Sequence, residues 1–425
     1  MSNKKTLKFP KNFLWGASTS AYQIEGGIVN DWSEWEKSEG RIKKLPSVAK
    51  ALAGKEVRSK KKNKKLIIED FICGQACDSY NRYEEDIELV KNLNCGAYRF
   101  GIEWARIEPE EGKFDMKEID HYRKVLKAAK DRNLKVVLTL WHWTNPIWLA
   151  EIGGWGNKKV VGYFARYTEL IVKEMGDSVD YWVTLNEPMV HVANGYIAGK
   201  FPPNKKNIFK SNRVFKNLAN AHNASHKIIH EKYPRAKVSI TALINCFEPA
   251  RKWLLNEIII AKLFHYFWND RFLQRIKNNL DYIGVDYYFY DRIVWHPPFK
   301  KNKNKKITDL GWEIYPEGIY HVLKYLNKFK KPIIILENGL ADECDKHRSD
   351  FIRDHLKYIH KAISEGVDVR GYFYWSLLDN FEWAEGFWPK FGLHSVDRKT
   401  FERTARPSAA VYAEICKNNQ IVINT

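Results

Sequence analysis

Two glutamates end apolar, strand-like runs of the chain. Glu187 ends the run Tyr181–Glu187, Glu337 ends the run Pro332–Glu337, and strand-breaking residues follow both. Strand ends that lead into loops are where barrel enzymes place their catalytic groups. Two carboxyl groups on either side of a substrate are the minimal equipment for hydrolysing a glycosidic bond. The two glutamates therefore predict a glycosidase with a catalytic carboxyl pair.

Eight apolar, β-branched or aromatic runs recur along the chain with helix-like stretches between them. The predicted strands are Phe13–Ser18, Tyr98–Trp104, Lys135–His142, Tyr181–Glu187, Val238–Ile244, Tyr282–Tyr288, Pro332–Glu337 and Gly371–Leu378. Strands that alternate with helices predict parallel pairing, and eight of them predict an α/β fold of the (β/α)8 (TIM) barrel type. Glu187 and Glu337 would then face each other across the barrel mouth, and a separation of about 5–5.5 Å would fit a retaining reaction.

The predicted helices include Tyr80–Leu93, Ile119–Arg132, Val160–Met175, Val214–Lys232, Gly318–Phe329, Phe351–Glu365 and a closing helix Ala409–Lys417 that follows Pro407. No linker or internal repeat interrupts the pattern. We therefore expect residues 1–425 to form a single domain, with a Lys-rich loop insertion at about residues 41–65.

Lysine and arginine exceed aspartate and glutamate by 70 to 51, which gives a formal net charge of +19. Much of the excess lies in the runs Lys55–Lys65 and Lys300–Lys306, which lack interleaved aromatic residues. Charge of this kind gives only non-specific attraction, so we expect solvated loops and no specific nucleic-acid partner.

Several other classes of partner are also not expected. No apolar run reaches about 18 residues, so we expect no membrane-spanning segment and no membrane partner. The first residues lack the apolar stretch of a secretory signal, and six scattered cysteines suit free thiols, so we expect a cytoplasmic protein. No cluster with metal-ligand spacing and no Gly-rich phosphate loop is found, so we expect neither a metal nor a cofactor.

Longer motifs carry a more specific pattern. They are FLWGASTSAYQIEG at residues 13–26, Tyr98-Arg99-Phe100 with Trp104-Ala105-Arg106-Ile107, Trp148–Trp155, and WSLLDNFEW at residues 375–383 with Phe391-Gly392-Leu393 after it. In these motifs, and in their order, the chain resembles glycoside hydrolase family 1, the retaining β-glucosidase and β-galactosidase family. The resemblance covers nearly the whole chain.

The resemblance implies that Glu187 is the acid/base and Glu337 the nucleophile. An acid that must stay protonated benefits from like-charge repulsion, and a nucleophile that must stay ionised benefits from a nearby cation. Arg99 matches the family's arginine in that role. The resemblance further implies a substrate-binding set around the pair: Gln23, His142, Asn186, Tyr288, Trp375, Glu382 and Trp383.

The chain departs from the family at Asp286, where an asparagine is usual. An added carboxylate near the catalytic pair would raise carboxyl pKa values unless a cation compensates. A branch of the family hydrolyses 6-phosphosugars with a serine and a lysine after the eighth strand. Glu385 in that region would repel a phosphate, although Lys390 lies nearby, so we expect an unphosphorylated β-glucoside, galactoside or fucoside.

Four alternatives remain open at this point. A transglycosidase would use the same residues, and a 6-phospho-β-glycosidase would differ only around the sugar's 6-position. A catalytically silent sugar-binding barrel or a nucleic-acid-associated protein would need neither glutamate. The sequence leaves the aglycone and the oligomeric state undecided.

Overall fold

The computed structural model describes residues 4–45, 58–59, 62–65 and 67–424. Eight parallel strands form a closed barrel in chain order, in which the eighth strand pairs with the first. The strands are β1 (Leu14–Ser18), β2 (Ala97–Gly101), β3 (Lys135–Thr139), β4 (Tyr181–Asn186), β5 (Val238–Leu243), β6 (Ile283–Asp286), β7 (Ile333–Asn338) and β8 (Val369–Trp375). The predicted (β/α)8 barrel is confirmed.

One main helix follows each strand. These helices are α1 (Ser79–Asn92), α2 (Met116–Asp131), α3 (Val160–Met175), α4 (Ile208–Lys232), α5 (Leu255–His265), α6 (Glu317–Leu326), α7 (Arg348–Ser364) and α8 (Pro407–Asn418). Helix α6 illustrates the amphipathic pattern, because Ile319, Val322 and Leu326 recur at helical spacing and are buried. Helix α5 was not among the predicted helices, because its apolar residues do not form one stripe.

Two layers of apolar side chains hold the barrel together. A small cluster that includes Val137, Val183, Leu336 and Phe373 is contributed by the strands, and a much larger one joins the strands to the helices around them. Full burial of each large apolar side chain contributes about 1.5–3 kcal/mol to stability. The carboxyl end of the barrel thus rests on a densely packed apolar base.

Three of the regular strands end well before the residue predicted. The runs predicted to reach Trp104, His142 and Leu378 leave the sheet at Gly101, Thr139 and Trp375. The residues beyond the strands are apolar because the loops at this end of the barrel are themselves buried. Apolar content alone therefore does not mark where pairing stops.

The Lys-rich insertion predicted at about residues 41–65 lies partly outside the described residues, which omit 46–57, 60, 61 and 66. Within it, Arg58–Ser59 pairs antiparallel with Lys62–Lys65. Near the ends of the chain, Lys4–Lys8 pairs antiparallel with Gln420–Asn424, a contact that the sequence did not predict. In the part of the chain that the structure describes, no helix is both long and apolar enough to span a bilayer.

Candidate active site

Three carboxyl groups meet at the carboxyl end of the barrel. Glu187 immediately follows β4, Asp286 ends β6, and Glu337 lies near the end of β7. One oxygen of each lies within 4.8 Å of one oxygen of the other two, and all three residues are buried. The barrel therefore brings the two predicted glutamates together and adds the aspartate that the sequence singled out.

Glu337 is held by two hydrogen-bond donors. Nη1 of Arg99 donates to its Oε1 at 2.5 Å, and the Tyr288 hydroxyl donates to its Oε2 at 2.9 Å. Arg99 is completely buried on β2 and reaches across the barrel interior. A guanidinium and a phenol both favour the ionised form of the carboxylate that they contact.

Arg99 also orients the residue that precedes Glu187. Its Nη2 and the Thr241 hydroxyl both donate to Oδ1 of Asn186. The oxygen is thereby fixed, so Nδ2 of Asn186 points at Nε2 of His142, 2.9 Å away. Thr241 also accepts a hydrogen bond from the Glu187 amide at 3.1 Å. One network thus positions residues beside both glutamates.

His142 is left with one donor for a ligand. Because Nδ2 of Asn186 is a donor, Nε2 of His142 must accept, and the ring proton lies on Nδ1. Nδ1 is buried and has no hydrogen-bond partner among the described residues. Burial and the neighbouring Arg99 lower the pKa of His142 well below its ordinary value, so the ring is neutral. A buried, unpaired N–H suits a sugar hydroxyl.

Among the described residues, Asp286 differs from Glu337 in having no donor on its carboxyl oxygens. It is fully buried, and neither carboxyl oxygen is hydrogen-bonded within the described part of the chain. Burial, followed by repulsion from Glu337, raises the pKa of Asp286 well above its ordinary value. An unpaired buried carboxylate is costly, so this group retains a proton far more readily than a solvated aspartate does.

The pKa values of the two glutamates respond to different surroundings. Burial, then the charges of Asp286 and Glu337, raise the pKa of Glu187 well above its ordinary value. Burial also raises the pKa of Glu337, but Arg99 and the Tyr288 hydrogen bond act in the opposite direction. Three carboxyl groups this close cannot all be ionised. The contacts favour the charge on Glu337 and the proton on Glu187.

The remaining predicted residues form one wall beside the carboxyl groups. Trp383 is stacked on Tyr22 with ring centroids 5.8 Å apart, and His142 lies 5.6 Å from the Trp383 ring. Gln23 donates from Nε2 to the Phe381 carbonyl at 2.8 Å and accepts at Oε1 from Ser20.

Glu382 and Trp375 complete this wall. Oε2 of Glu382 is buried without a hydrogen-bond partner among the residues described, and burial, followed by Glu337 and Glu385, raises its pKa to about 8. The buried ring of Trp375 packs with Ala341 and Phe391. The wall thus combines aromatic faces with unsatisfied polar atoms, as a sugar-binding surface requires.

A wide cavity opens at the same end of the barrel. Its volume is about 1130 Å³, and it is lined by the loops after β1, β4, β6, β7 and β8. Arg41, Lys200, Asp342, Glu385 and Trp388 are among its lining residues. The cavity is large enough for a group attached to a sugar, and it carries charges of both signs.

Side chains distant in sequence also form two groups that could offer three ligand atoms to a metal. Among the described residues these are Glu187 with Asp286 and Glu337, and His226 with His230 and Asp281. In the first group Arg99 already supplies a positive charge. In the second, Oδ2 of Asp281 is hydrogen-bonded to His230 and to the Val238 amide, each at 2.8 Å. Protein donors thus already contact one carboxylate of each group.

The sequence missed Thr241 and Thr139, whose hydroxyls bind the polar network. Thr139 accepts from Nε of Arg99 at 3.2 Å, and Thr241 bonds Asn186 and Glu187. Threonine is a common strand residue, so neither carried a local signal. Their position at the carboxyl ends of β3 and β5 was the only clue.

Comparisons with known proteins agree with this architecture. The family described as glycosyl hydrolase family 1 matches residues 5–307 and 267–421. A 1,4-beta-D-glucan glucohydrolase from Thermotoga neapolitana is 32% identical over 97% of this chain and 99% of its own length. A beta-glycosidase structure from Pyrococcus horikoshii is 36% identical and superposes with a TM-score of 0.86 over 98% of this chain and 96% of that one.

A beta-glucosidase structure from Thermotoga maritima, in complex with glucoimidazole, is 32% identical with a TM-score of 0.85 over 97% of this chain and 99% of that one. The resemblance drawn from the motifs is therefore confirmed. The chain belongs to glycosyl hydrolase family 1.

Proposed function

We propose that this chain is a retaining exo-β-glycosidase that hydrolyses terminal, non-reducing β-D-glucosyl residues and also accepts galactosyl and fucosyl residues. The observation that carries the proposal is the approach of Glu187 and Glu337, whose nearest oxygens lie within 4.8 Å. Retaining enzymes place their carboxyl groups about 5–5.5 Å apart, whereas inverting enzymes leave about 6.5–9.5 Å for a water. The short separation supports direct attack by one carboxylate.

In the first step Glu337 attacks the anomeric carbon. The bond from that carbon to the leaving oxygen breaks, and the proton of Glu187 passes to this oxygen. The product is an ester between the sugar and Glu337. The contacts from Arg99 and Tyr288 support Glu337 as the ionised group, and the raised pKa supports Glu187 as the acid.

In the second step Glu187, now ionised, removes a proton from water. The water oxygen bonds to the anomeric carbon, the ester bond breaks, and Glu337 leaves as a carboxylate. Two inversions at one carbon restore the original β configuration. Asn186, held by Arg99 and Thr241, would contact the 2-hydroxyl, an interaction that strengthens in the transition state.

The aromatic wall supports the choice of substrate. The unpaired atoms of His142 and Glu382 would bind hydroxyls of the terminal sugar, and Trp375 would pack against its ring. The cavity of about 1130 Å³ would receive the leaving group. Two of the relatives are named for glucan and glucoside substrates, and one was solved with glucoimidazole, which favours a glucosyl residue.

The test measures hydrolysis of p-nitrophenyl β-D-glucoside by the wild type, Glu187→Gln and Glu337→Gln. We expect both variants to lose nearly all activity, whereas Glu110→Gln, which removes an exposed carboxylate, should not. Proton NMR of the first sugar released should show the β-anomer. Inactivity of the wild type on β-glucoside, β-galactoside, β-fucoside and β-mannoside would sink the proposal, and initial release of the α-anomer would exclude retention.

A further inference from the structure

An apolar patch covers the outer face of α5 and the neighbouring turn at Trp295–Phe299. We call it the α5 patch. Trp253 is 82% exposed and Leu255 68% exposed, and they continue into a set of other large apolar side chains that are also exposed: Ile259, Leu263, Phe264, Tyr266, Phe267, Trp295 and Phe299. The ring of Phe264 lies 6.4 Å from that of Phe299, which joins the helix to the turn. The patch is therefore continuous across two segments.

Helix α5 has the reverse of the usual pattern for a surface helix. It buries the charged Glu257, which is paired with Arg251, and it buries Ala261. Leu255, Ile259 and Leu263, spaced four residues apart, point outward instead. Monomeric soluble proteins rarely expose contiguous apolar patches of more than a few hundred Å², and larger ones mark sites of interaction. The reversal indicates that something covers this face.

Exposed lysines adjoin the α5 patch along the chain. Lys252 and Lys262 lie on or beside the helix, and the run Lys300–Lys306 continues directly from Phe299 with five exposed lysines. Three nearby carboxylates are engaged in ion pairs, Glu257 with Arg251, Asp291 with Lys300 and Glu313 with Arg292. A fourth, Glu248, accepts a hydrogen bond from the Tyr290 hydroxyl. The rim is therefore strongly positive, in a chain whose formal net charge is already +19.

The α5 patch lies at the catalytic end of the barrel. Helix α5 packs against the parallel strands Cys246–Pro249 and Tyr290–Ile293, which follow the carboxyl ends of β5 and β6. Glu187 and Glu337 lie at the carboxyl ends of β4 and β7. Whatever covers the patch therefore lies beside the mouth through which substrate enters.

We propose that the α5 patch docks on the surface of an anionic lipid bilayer. Apolar side chains with interfacial tryptophan and tyrosine insert among acyl chains, and the lysine rim binds anionic head groups. The two features are needed together, and both are present on one face. This contact is peripheral, so it differs from the sequence-based expectation of no membrane partner, which rested on the lack of a spanning run.

Two other occupants fit the patch less well. A second copy of the chain would bring one lysine rim against another, and like charges in an interface are strongly unfavourable. A single-stranded nucleic acid would stack on the aromatic rings but would leave Leu255, Ile259 and Leu263 without partners. A lipid surface satisfies both the aliphatic centre and the positive rim. This proposal does not depend on the glycosidase assignment.

The test is co-sedimentation of the full chain with phosphatidylcholine vesicles, with and without 30% phosphatidylglycerol. We expect at least about tenfold stronger partitioning onto the anionic vesicles and a marked loss at 0.5 M salt. The variant Trp253→Ser/Ile259→Ser/Leu263→Ser should lose at least about tenfold of this binding. These side chains are exposed, so folding should persist and activity on a soluble substrate should be unchanged.

A matched control, Met116→Ser/Val422→Ser, removes exposed apolar side chains elsewhere and should bind vesicles like the wild type. A second variant, Lys303→Glu/Lys305→Glu/Lys306→Glu, should lose binding to anionic vesicles only. Failure of the wild type to bind anionic vesicles, or equal binding by the patch variant, would overturn the proposal. So would concentration-dependent dimerisation that the patch variant abolishes, or a preference for single-stranded oligonucleotide over vesicles.

Discussion

Replacing Asp286 by asparagine tests the charge arrangement at the catalytic end. The substitution keeps the size of the side chain and removes one of three carboxyl groups whose nearest oxygens lie within 4.8 Å. Asparagine is also the residue that the resemblance to the family implies at this position, so the variant should fold and remain active. Its pH dependence should change on the alkaline side, where Asp286 loses its proton and its charge then opposes ionisation of Glu187.

The size of the effect follows from the distance. At 4.8 Å, the upper limit of the separation between the nearest oxygens, two unit charges at an effective dielectric constant of about 20 repel each other by about 3.5 kcal/mol. That energy corresponds to about 2.5 pKa units. Arg99 offsets part of the charge, so we expect the pKa of Glu187 to fall by about one to two units in the variant. Glu187 must be protonated to act, so the alkaline limb should move to lower pH.

The assay is kcat/KM for p-nitrophenyl β-D-glucoside between pH 4 and 10, which reports the pKa values of the free enzyme. Asp350→Asn, at an exposed position on α7, removes the same charge far from the site and should leave the profile unchanged. An alkaline limb that stays in place in Asp286→Asn, or that moves to higher pH, would refute the reasoning. Asp286 would then be uncharged throughout the working range.

Thermal unfolding of the same variant gives an independent measurement. Burial raises the pKa of Asp286, so the folded chain holds a proton that the unfolded chain releases. The stability that this group contributes is complete below its ordinary pKa and is lost as pH rises toward the folded value. Asparagine has no such dependence. The melting temperature of Asp286→Asn should therefore exceed that of the wild type by more at pH 8 than at pH 4.

Three further substitutions address the network around the pair. Arg99→Lys weakens the contact with Glu337, so kcat should fall by about 10²- to 10³-fold. The pKa of Glu337 should rise, so the acidic limb of kcat/KM in a pH series should move to higher pH. Thr241→Val removes the hydroxyl that bonds Asn186 and the Glu187 amide, although this amide keeps its bond to the Thr241 carbonyl. We expect kcat/KM to fall about tenfold, while calorimetry shows little change in melting temperature. The wild type should react more slowly with the monodeoxy glucoside that lacks the hydroxyl bound by His142. His142→Ala should abolish this difference, as rates measured across the series of monodeoxy glucosides would show.

The barrel could be predicted because its strands are buried on both faces. A strand such as β3 then forms a continuous apolar run, and helical stretches separate one run from the next. A continuous apolar run does not, however, indicate the residue at which a strand ends. Leu140 and Trp141 are as buried as the strand before them, although they already belong to the loop at the mouth. These residues are buried but not paired in the sheet, and an apolar sequence indicates burial without indicating strand pairing.

The polar network could not be predicted from local pattern. Thr241 lies 55 residues from Asn186 and 54 from Glu187 in sequence, and its hydrogen bonds arise only when β4 and β5 pair. The reversed helix α5 was missed for a related reason. Its apolar residues lie on several faces of the helix, so periodicity does not single out one face for burial.

The roles of the three carboxyl groups show where sequence reasoning must stop. Glu187, Asp286 and Glu337 are all carboxyl residues at the ends of apolar runs, so position alone does not distinguish them. Their partners do, because Arg99 reaches Glu337 from β2 and leaves Asp286 without a donor among the described residues. Among such carboxyl groups, the one that is least solvated and has the most negative surroundings keeps its proton most readily. The closed barrel therefore sets which of these carboxyl groups is ionised and which keeps its proton.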